Sequence, residues 1–340
     1  MEPGSGGCHC APGCTSRGVS LEYEYACMVH REAKRIGETL GLGGKDLRGQ
    51  VRIETLLAGA EERLRRAGLD DSRMEAERLL GEFLGMSRSE LFLHAGDRVT
   101  AADLVRFRRV LERRCRREPL QYIFGSLEFW SLEFVVSPAV LVPRPETEFL
   151  LEHALATVRA EPGPPPRLAL DLCTGSGVIA VVLALELGSP VLAVDCSAAA
   201  LAVARRNVVR HRVADRVMPL CADLLSAVSS RPCFDLLISN PPYVAEHELE
   251  RLEPEVRQWE PRLALAGGAD GLDVIRRIAA GSARCLRPGG WLFMEIGCDQ
   301  RGPVLSLFSR QEYGFADVAV FPDLAGRPRV LQARKRCGAV

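Results

Sequence analysis

The sequence predicts an α/β protein: a doubly wound, mostly parallel sheet with a small helical bundle ahead of it. Three observations predict it. From residue 168 onward, short apolar runs alternate with helical patterns, the signature of successive β-α-β units. The runs 168–172, 191–194 and 234–238 are apolar almost throughout, as in strands buried on both faces. Residues 52–118, by contrast, interleave charges with Leu, Ala, Val and Phe at helical spacing.

The helical region divides at its punctuation. Leu56, Leu57, Ala60 and Leu64 form one apolar stripe, and Gly68 suits its end. Asp70, Asp71 and Ser72 suit a new start, with Ala76, Leu79, Leu80, Phe83 and Leu84 as the second stripe and Gly85 closing it. Residues 87–93 form a short third helix, and Thr100 caps a fourth through Leu104, Phe107, Val110 and Leu111. Pro119 ends that helix. Residues 122–126 and 129–136 read as a hairpin, and the proline-rich stretch 138–145 leads to a helix from Glu146 to about residue 158. Pro219 within the run 217–221 marks an edge strand, because proline cannot donate to a ladder. Residues 246–259 form a polar helical stretch, a candidate lid; 271–286 is the next helix. Residues 287–290 are a turn before a strand at 291–296. A helix around 304–308 and two strands at 315–321 and 329–333 finish the chain, the last strand antiparallel. The expected domains are a disordered leader (1–50), a helical recognition domain (51–118), a hairpin linker (119–140) and a catalytic domain (141–340).

Bulk properties narrow the class. Formal net charge is zero and apolar content is 47%, so nothing global calls for nucleic acid or an anionic membrane. The apolar run 178–185 is far short of the roughly 20 residues a bilayer needs, and no signal-peptide core opens the chain. A cytoplasmic protein is expected. Cys115, Cys173, Cys196, Cys221, Cys233, Cys285 and Cys298 show no paired spacing and are expected to be free thiols. Cys8, Cys10, Cys14 and Cys27 with His9 and His30 lack a common zinc spacing, so no metal site is assigned. Seven arginines between 106 and 117 crowd one helix, readable as a solvated face balanced by Glu or as a basic surface for an acidic partner or for RNA.

The chemistry lies where the apolar runs stop. After 234–238 comes Ser-Asn-Pro-Pro-Tyr, 239–243. Two prolines hold the chain rigidly extended, at the carboxyl end of a strand where open α/β sheets bind ligands. The Asn240 side-chain oxygen and the Pro241 carbonyl are two acceptors, and a planar NH2 group offers two donors. Tyr243 can lay its ring face on the same plane; only the ring, not the hydroxyl, is called on. Upstream, residues 171–177 read Asp-Leu-Cys-Thr-Gly-Ser-Gly before a helix. Gly175 and Gly177 allow a tight turn at a helix N-terminus. About 18 residues on, Asp195 ends the next strand, where a carboxylate takes ribose hydroxyls. Asp223, past the third strand, would lie by an adenine. The glycine pattern alone would suit a dinucleotide equally. Its conjunction with Asn-Pro-Pro-Tyr brings an adenosyl cofactor and an amine acceptor to one sheet edge.

These residues resemble the class I S-adenosylmethionine-dependent methyltransferases of the Asn-Pro-Pro-Tyr type. Leu-Val-Pro-Arg-Pro-Glu-Thr-Glu (141–148), Glu-Pro-Arg-Leu-Ala-Leu (260–265), Gly-Ala-Asp-Gly-Leu (268–272) and Asp-Leu-Ala-Gly-Arg-Pro-Arg (323–329) narrow the likeness. Over residues from about 54 to 335 the chain resembles the PrmC/HemK family, the peptide chain release factor glutamine methyltransferases. The resemblance implies a seven-stranded sheet. It implies methyl transfer from S-adenosyl-L-methionine to the side-chain N5 of the glutamine in the Gly-Gly-Gln loop of class 1 release factors. It places Cys173, Thr174, Gly175, Ser176 and Gly177 at the cofactor's methionine end, Asp195 at its ribose, and Asp223 and Leu224 at its adenine. Asn240 would touch cofactor and substrate, with Pro241, Pro242 and Tyr243 completing the substrate pocket. Arg144 and Glu146 would line the cofactor mouth or merely start a helix. Cys173 stands where relatives often have Gly, harmless at negative φ, and Leu224 where some have Trp. The competing reading is a nucleic-acid methyltransferase acting on an exocyclic base amine; an aromatic content of 6% and zero net charge disfavour a base-flipping face.

Overall fold

The structure is a computed structural model that describes residues 51–228 and 231–337. The expected leader, with Cys8, Cys10, Cys14, Cys27, His9 and His30, lies outside the described residues. The chain divides into two compact units, one ending at Arg116 and one beginning at Arg117.

In the first unit, β1 (Val51–Arg52) runs into α1 (Ile53–Arg66), followed by α2 (Ser72–Leu84) and α3 (Arg88–Leu93). Then β2 (Arg98–Val99) pairs antiparallel with β1 and leads to α4 (Ala101–Cys115). This two-stranded ribbon is too short to leave a periodic signal. The helix ends follow local chemistry. Gly85 closes α2 at φ 68°, Ser87 and Glu90 form a reciprocal capping box on α3, and the Thr100 hydroxyl accepts from the Asp103 N–H at α4. Leu56, Leu64, Leu79, Leu80, Leu104 and Phe107 are fully buried, each contributing about 2 kcal/mol by leaving water. The basic helix is α4. Arg106 pairs with Asp103, Arg108 with Glu112, and the buried Arg114 with Glu75 at 2.8 Å. The face balanced by acids is therefore the better description for these three.

The second unit begins with α5 (Leu120–Phe124), and here the reading of 122–124 as strand is corrected. Tyr122 and Ile123 have strand-forming side chains, but Pro119 accepts both of their N–H groups and Gly125 closes the turn at φ 79°. Burial of Tyr122, whose hydroxyl donates to the Val140 carbonyl, overrides propensity. The hairpin is β3 (Ser126–Phe129) and β4 (Leu132–Val135); it sinks Phe129 and Phe134 into the core of this unit.

The sheet then assembles as the alternation predicts. In chain order come α6 (Pro145–Ala160), β5 (Ala169–Leu172), α7 (Val178–Leu187), β6 (Val191–Asp195), α8 (Ala198–Arg210), β7 (Val217–Cys221) and β8 (Phe234–Ser239). They are followed by α9 (Pro254–Trp259), α10 (Asp273–Cys285), β9 (Leu286–Glu295), α11 (Arg301–Phe308), β10 (Phe315–Pro322) and β11 (Pro328–Lys335). Strand order is β10-β11-β9-β8-β5-β6-β7, with β11 antiparallel to both of its neighbours, β10 and β9, and the other joints parallel. Pro219 sits on β7 at the edge, as expected. Residues 287–290, expected as a turn, are an excursion within β9, since Phe234 pairs Leu286 but Leu236 already pairs Trp291. Alternate strand residues feed two cores. Leu236 and Ile238 pack with α6 and α7, while Leu237 packs with α10 and α11. The candidate lid, 246–259, is a 3-10 turn (Leu249–Arg251) and α9, not one helix. The direction of crossover changes between β5 and β8, which opens a crevice at their carboxyl ends. Among the described residues no helix is long and apolar enough to cross a membrane.

Candidate active site

The crevice is a cleft of about 1140 Å³, its open mouth included, above the ends of β5, β6, β7 and β8. Of the site residues read from the sequence, Cys173, Thr174, Gly175, Ser176, Asp195, Asp223, Leu224, Asn240 and Pro242 line it. Gly177, Pro241 and Tyr243 do not.

The floor is the loop between β5 and α7. Asp171, at the buried end of β5, accepts from the Thr174 hydroxyl (2.5 Å) and the Ala180 N–H (3.1 Å) through one carboxylate oxygen. This ties the loop to the first turn of α7. Its other oxygen is buried without a partner. Burial pushes the Asp171 pKa up to about 7, against the two hydrogen bonds that lower it. The loop backbone is left-handed at Cys173 (φ 61°) as well as at Gly175 (φ 55°) and Gly177 (φ 83°). The condition that Cys173 have negative φ is not met. A cysteine here carries strain that glycine would not. Cys173→Gly is expected to be neutral or to stabilise by up to about 1 kcal/mol, a rise in Tm of roughly 0–3 °C. Calorimetry checks it, and a clear fall would show that the Cys173 side chain is needed. Burial, reinforced by Asp195 and Asp171, pushes the Cys173 thiol well up, so it stays a neutral, weakly nucleophilic wall. Gly177 has a packing role: a Cβ there would lie 3.1 Å from that of Ala204 on α8.

Asp195 ends β6 and faces the cleft. One carboxylate oxygen accepts from the Gly175 N–H (2.9 Å) and the other from the Ser197 N–H (2.8 Å). Each keeps a lone pair for a further donor. Around the next strand end, Ala222, Leu224 and Val274 make an apolar wall; Leu224 holds an uncommon φ of 49°. Asp223 is tied to Arg277 at 2.7 Å, so one of its oxygens is already engaged.

At the end of β8, the Asn240 NH2 donates to the Thr147 hydroxyl (3.0 Å), which donates to Glu295 (2.7 Å) at the end of β9. The Tyr243 hydroxyl donates to the other Glu295 oxygen (2.9 Å). Tyr243 is packed against the core under α10 and α11, and burial with the neighbouring Glu295 charge pushes its phenol well up. Its hydroxyl is therefore engaged, contrary to the reading that only the ring face matters. Thr147 and Glu295 were missed from the sequence. A lone acid closing an apolar strand was the available signal for Glu295. Arg144 and Glu146 resolve as a helix start: neither lines the cleft, whereas Leu141, Pro143 and Thr147 do. Arg144 pairs with the buried Glu260, which also accepts the Val142 N–H, and so holds this strap in place.

An adenosyl cofactor bearing a cationic methionine end fits this donor set. The open lone pairs of Asp195 face the cleft and await donors, and the apolar wall of Ala222, Leu224 and Val274 suits an adenine. The eight described cysteines are free, and no group of His, Cys, Asp or Glu among the described residues is arranged to hold a metal.

Comparison with known proteins agrees. Residues 55–125 match the PrmC N-terminal domain, and residues 145–254 the Methyltransferase small domain. A release factor glutamine methyltransferase of Geobacter sulfurreducens is 42% identical over 268 residues, 78% of this chain and 91% of that one. One from Cereibacter sphaeroides is 43% identical over 285 residues, 84% of this chain and 99% of that one. A solved protein-(glutamine-N5) methyltransferase (release factor-specific) from Alicyclobacillus acidocaldarius is 30% identical, covering 60% of this chain and 100% of that one at a TM-score of 0.36. With these relatives and this sheet, the chain belongs to the release factor glutamine methyltransferase family and is an S-adenosylmethionine-dependent methyltransferase of the class I fold.

Proposed function

We propose that this protein methylates the side-chain N5 of the glutamine in the Gly-Gly-Gln loop of class 1 peptide chain release factors, in the cytoplasm. The observation that carries the reading is Asn240: its NH2 edge is held by Thr147 at the cleft wall, which leaves its oxygen to accept. In this reading Asn240 and the Pro241 carbonyl hold the two hydrogens of the substrate amide, while Pro242 shapes the pocket and Tyr243 braces it from behind. Cys173 to Ser176, Asp195, Asp223 and Leu224 hold the cofactor, Gly177 lets the loop turn tightly into α7, and residues 51–118 recognise the release factor. Bound S-adenosylmethionine supplies the electrophilic methyl on its sulfonium. An amide nitrogen is a poor nucleophile, so the protein contributes alignment and removal of water. The amide proton is lost after transfer, so no dedicated base is required.

A nucleic-acid substrate is disfavoured, since formal net charge is zero and the basic helix spends Arg106, Arg108 and Arg114 on acidic partners. The test incubates the protein and methyl-labelled S-adenosylmethionine with either a purified class 1 release factor or total RNA. Label on the release factor glutamine is expected; label in RNA alone would overturn the reading.

A further inference from the structure

We infer that Glu295, acting through Thr147, sets which edge of the Asn240 amide faces the cleft, and is thus a positioning residue for methyl transfer. This rests on the reading of Asn240 as acceptor for the substrate amide.

Glu295 is 1% exposed and closes β9 beneath the cleft. Ionised, it can only accept, and it takes one hydrogen from Tyr243 and one from Thr147. A threonine hydroxyl has a single proton. Once that proton is committed to Glu295, the Thr147 oxygen can only accept, and only the NH2 edge of Asn240 can donate to it. The Asn240 oxygen is thereby turned away from Thr147, toward the cleft that Asn240 lines. Protonation of Glu295 frees the opposite polarity: Glu295 donates to Thr147, Thr147 donates to the Asn240 oxygen, and the NH2 edge turns outward. Two hydrogens would then confront the NH2 of a substrate amide, and the grip is lost. A buried relay of this kind transmits one charge state to one rotamer because every member is satisfied in only one sense.

The groups facing Glu295 come from each neighbouring element: Thr147 and Glu146 on α6, Tyr243 after β8, and Arg329 on β11. Arg329 is itself held by Asp323 at 3.4 Å and lies 4.0 Å from Glu146. Burial raises the Glu295 pKa above the ordinary carboxylate value, and the bonds from Thr147 and Tyr243 with the Arg329 charge oppose it. Turnover therefore fails as pH falls through that raised pKa.

The test has two parts. The first uses the protein alone, labelled with 15N. The Asn240 side-chain NH2 signals, assigned by their loss in Asn240→Ala, should shift with pH in the wild type and stay fixed in Glu295→Gln. The second measures turnover on a release factor. Glu295→Gln should lose about tenfold or more in kcat, with cofactor affinity within about threefold and the acid limb of the kcat profile abolished. Thr147→Val should fall similarly, and Thr147→Ser, which keeps the hydroxyl, should return to within about threefold of wild type. Wild-type Asn240 signals that ignore pH, or a Glu295→Gln enzyme with unchanged kcat and acid limb, would overturn the inference. If Glu295→Gln does not fold, the wild-type titration decides. A wild type inactive on release factors at every pH sinks the proposed function instead, and the titration again decides this one.

Discussion

Asn240→Ala is expected to cut turnover at least about a hundredfold while cofactor binding falls far less. One oriented polar group in a dry site is typically worth about 3 kcal/mol at the transition state, and alanine leaves no acceptor where the substrate NH2 must sit. It also strands the Thr147 hydroxyl without its donor. Asn240→Asp is the sharper variant. It keeps two acceptors, and its charge favours a cationic sulfonium in the ground state, so cofactor affinity should hold while the rate collapses. The structure adds a second reason. The Thr147 proton is committed to Glu295, so an aspartate would set acceptor against acceptor beside an existing buried carboxylate. Rates of label transfer and cofactor affinity by calorimetry separate the two effects. A nearly wild-type Asn240→Ala enzyme would mean that the substrate amide is gripped elsewhere.

Asp195→Ala should weaken cofactor binding at least about tenfold, because each charged hydrogen bond to a ribose hydroxyl contributes on the order of 1.5–3 kcal/mol. The ribose contact alone asks for no change in the fold. The geometry demands more. The same carboxylate accepts the Gly175 and Ser197 N–H groups, so its removal also loosens the loop after β5 and the start of α8. A stability loss of about 1–3 kcal/mol should accompany the affinity loss. Asp195→Asn, which keeps one acceptor, should fall between wild type and alanine in both. Unchanged cofactor affinity in Asp195→Ala would show that the ribose binds elsewhere on the sheet edge.

By itself the sequence determined the architecture and pointed to strand ends that border the cleft. Buried parallel strands must be apolar throughout, so their polar ends stand out: Asp171, Asp195 and Asn240 each mark where a strand meets the cleft or the loop beneath it. Pro219 announced an edge because a missing N–H is tolerated only there. These are local properties, written within a few residues. What only the tertiary structure decided is how side chains pair. Asn240 meets Thr147 across 93 residues, and Thr147 meets Glu295 across 148. Sheet order and register set those meetings, and periodicity carries no information about them. The same holds for Tyr122, where burial against Val140 outweighed strand propensity, and for Cys173, whose left-handed backbone is imposed by the turn from β5 into α7. It holds for Gly177, whose missing Cβ makes room for Ala204 on another helix. The elements follow from short-range patterning; the pairing of the Asn240 amide follows from contacts that exist only once α6, β8 and β9 lie together.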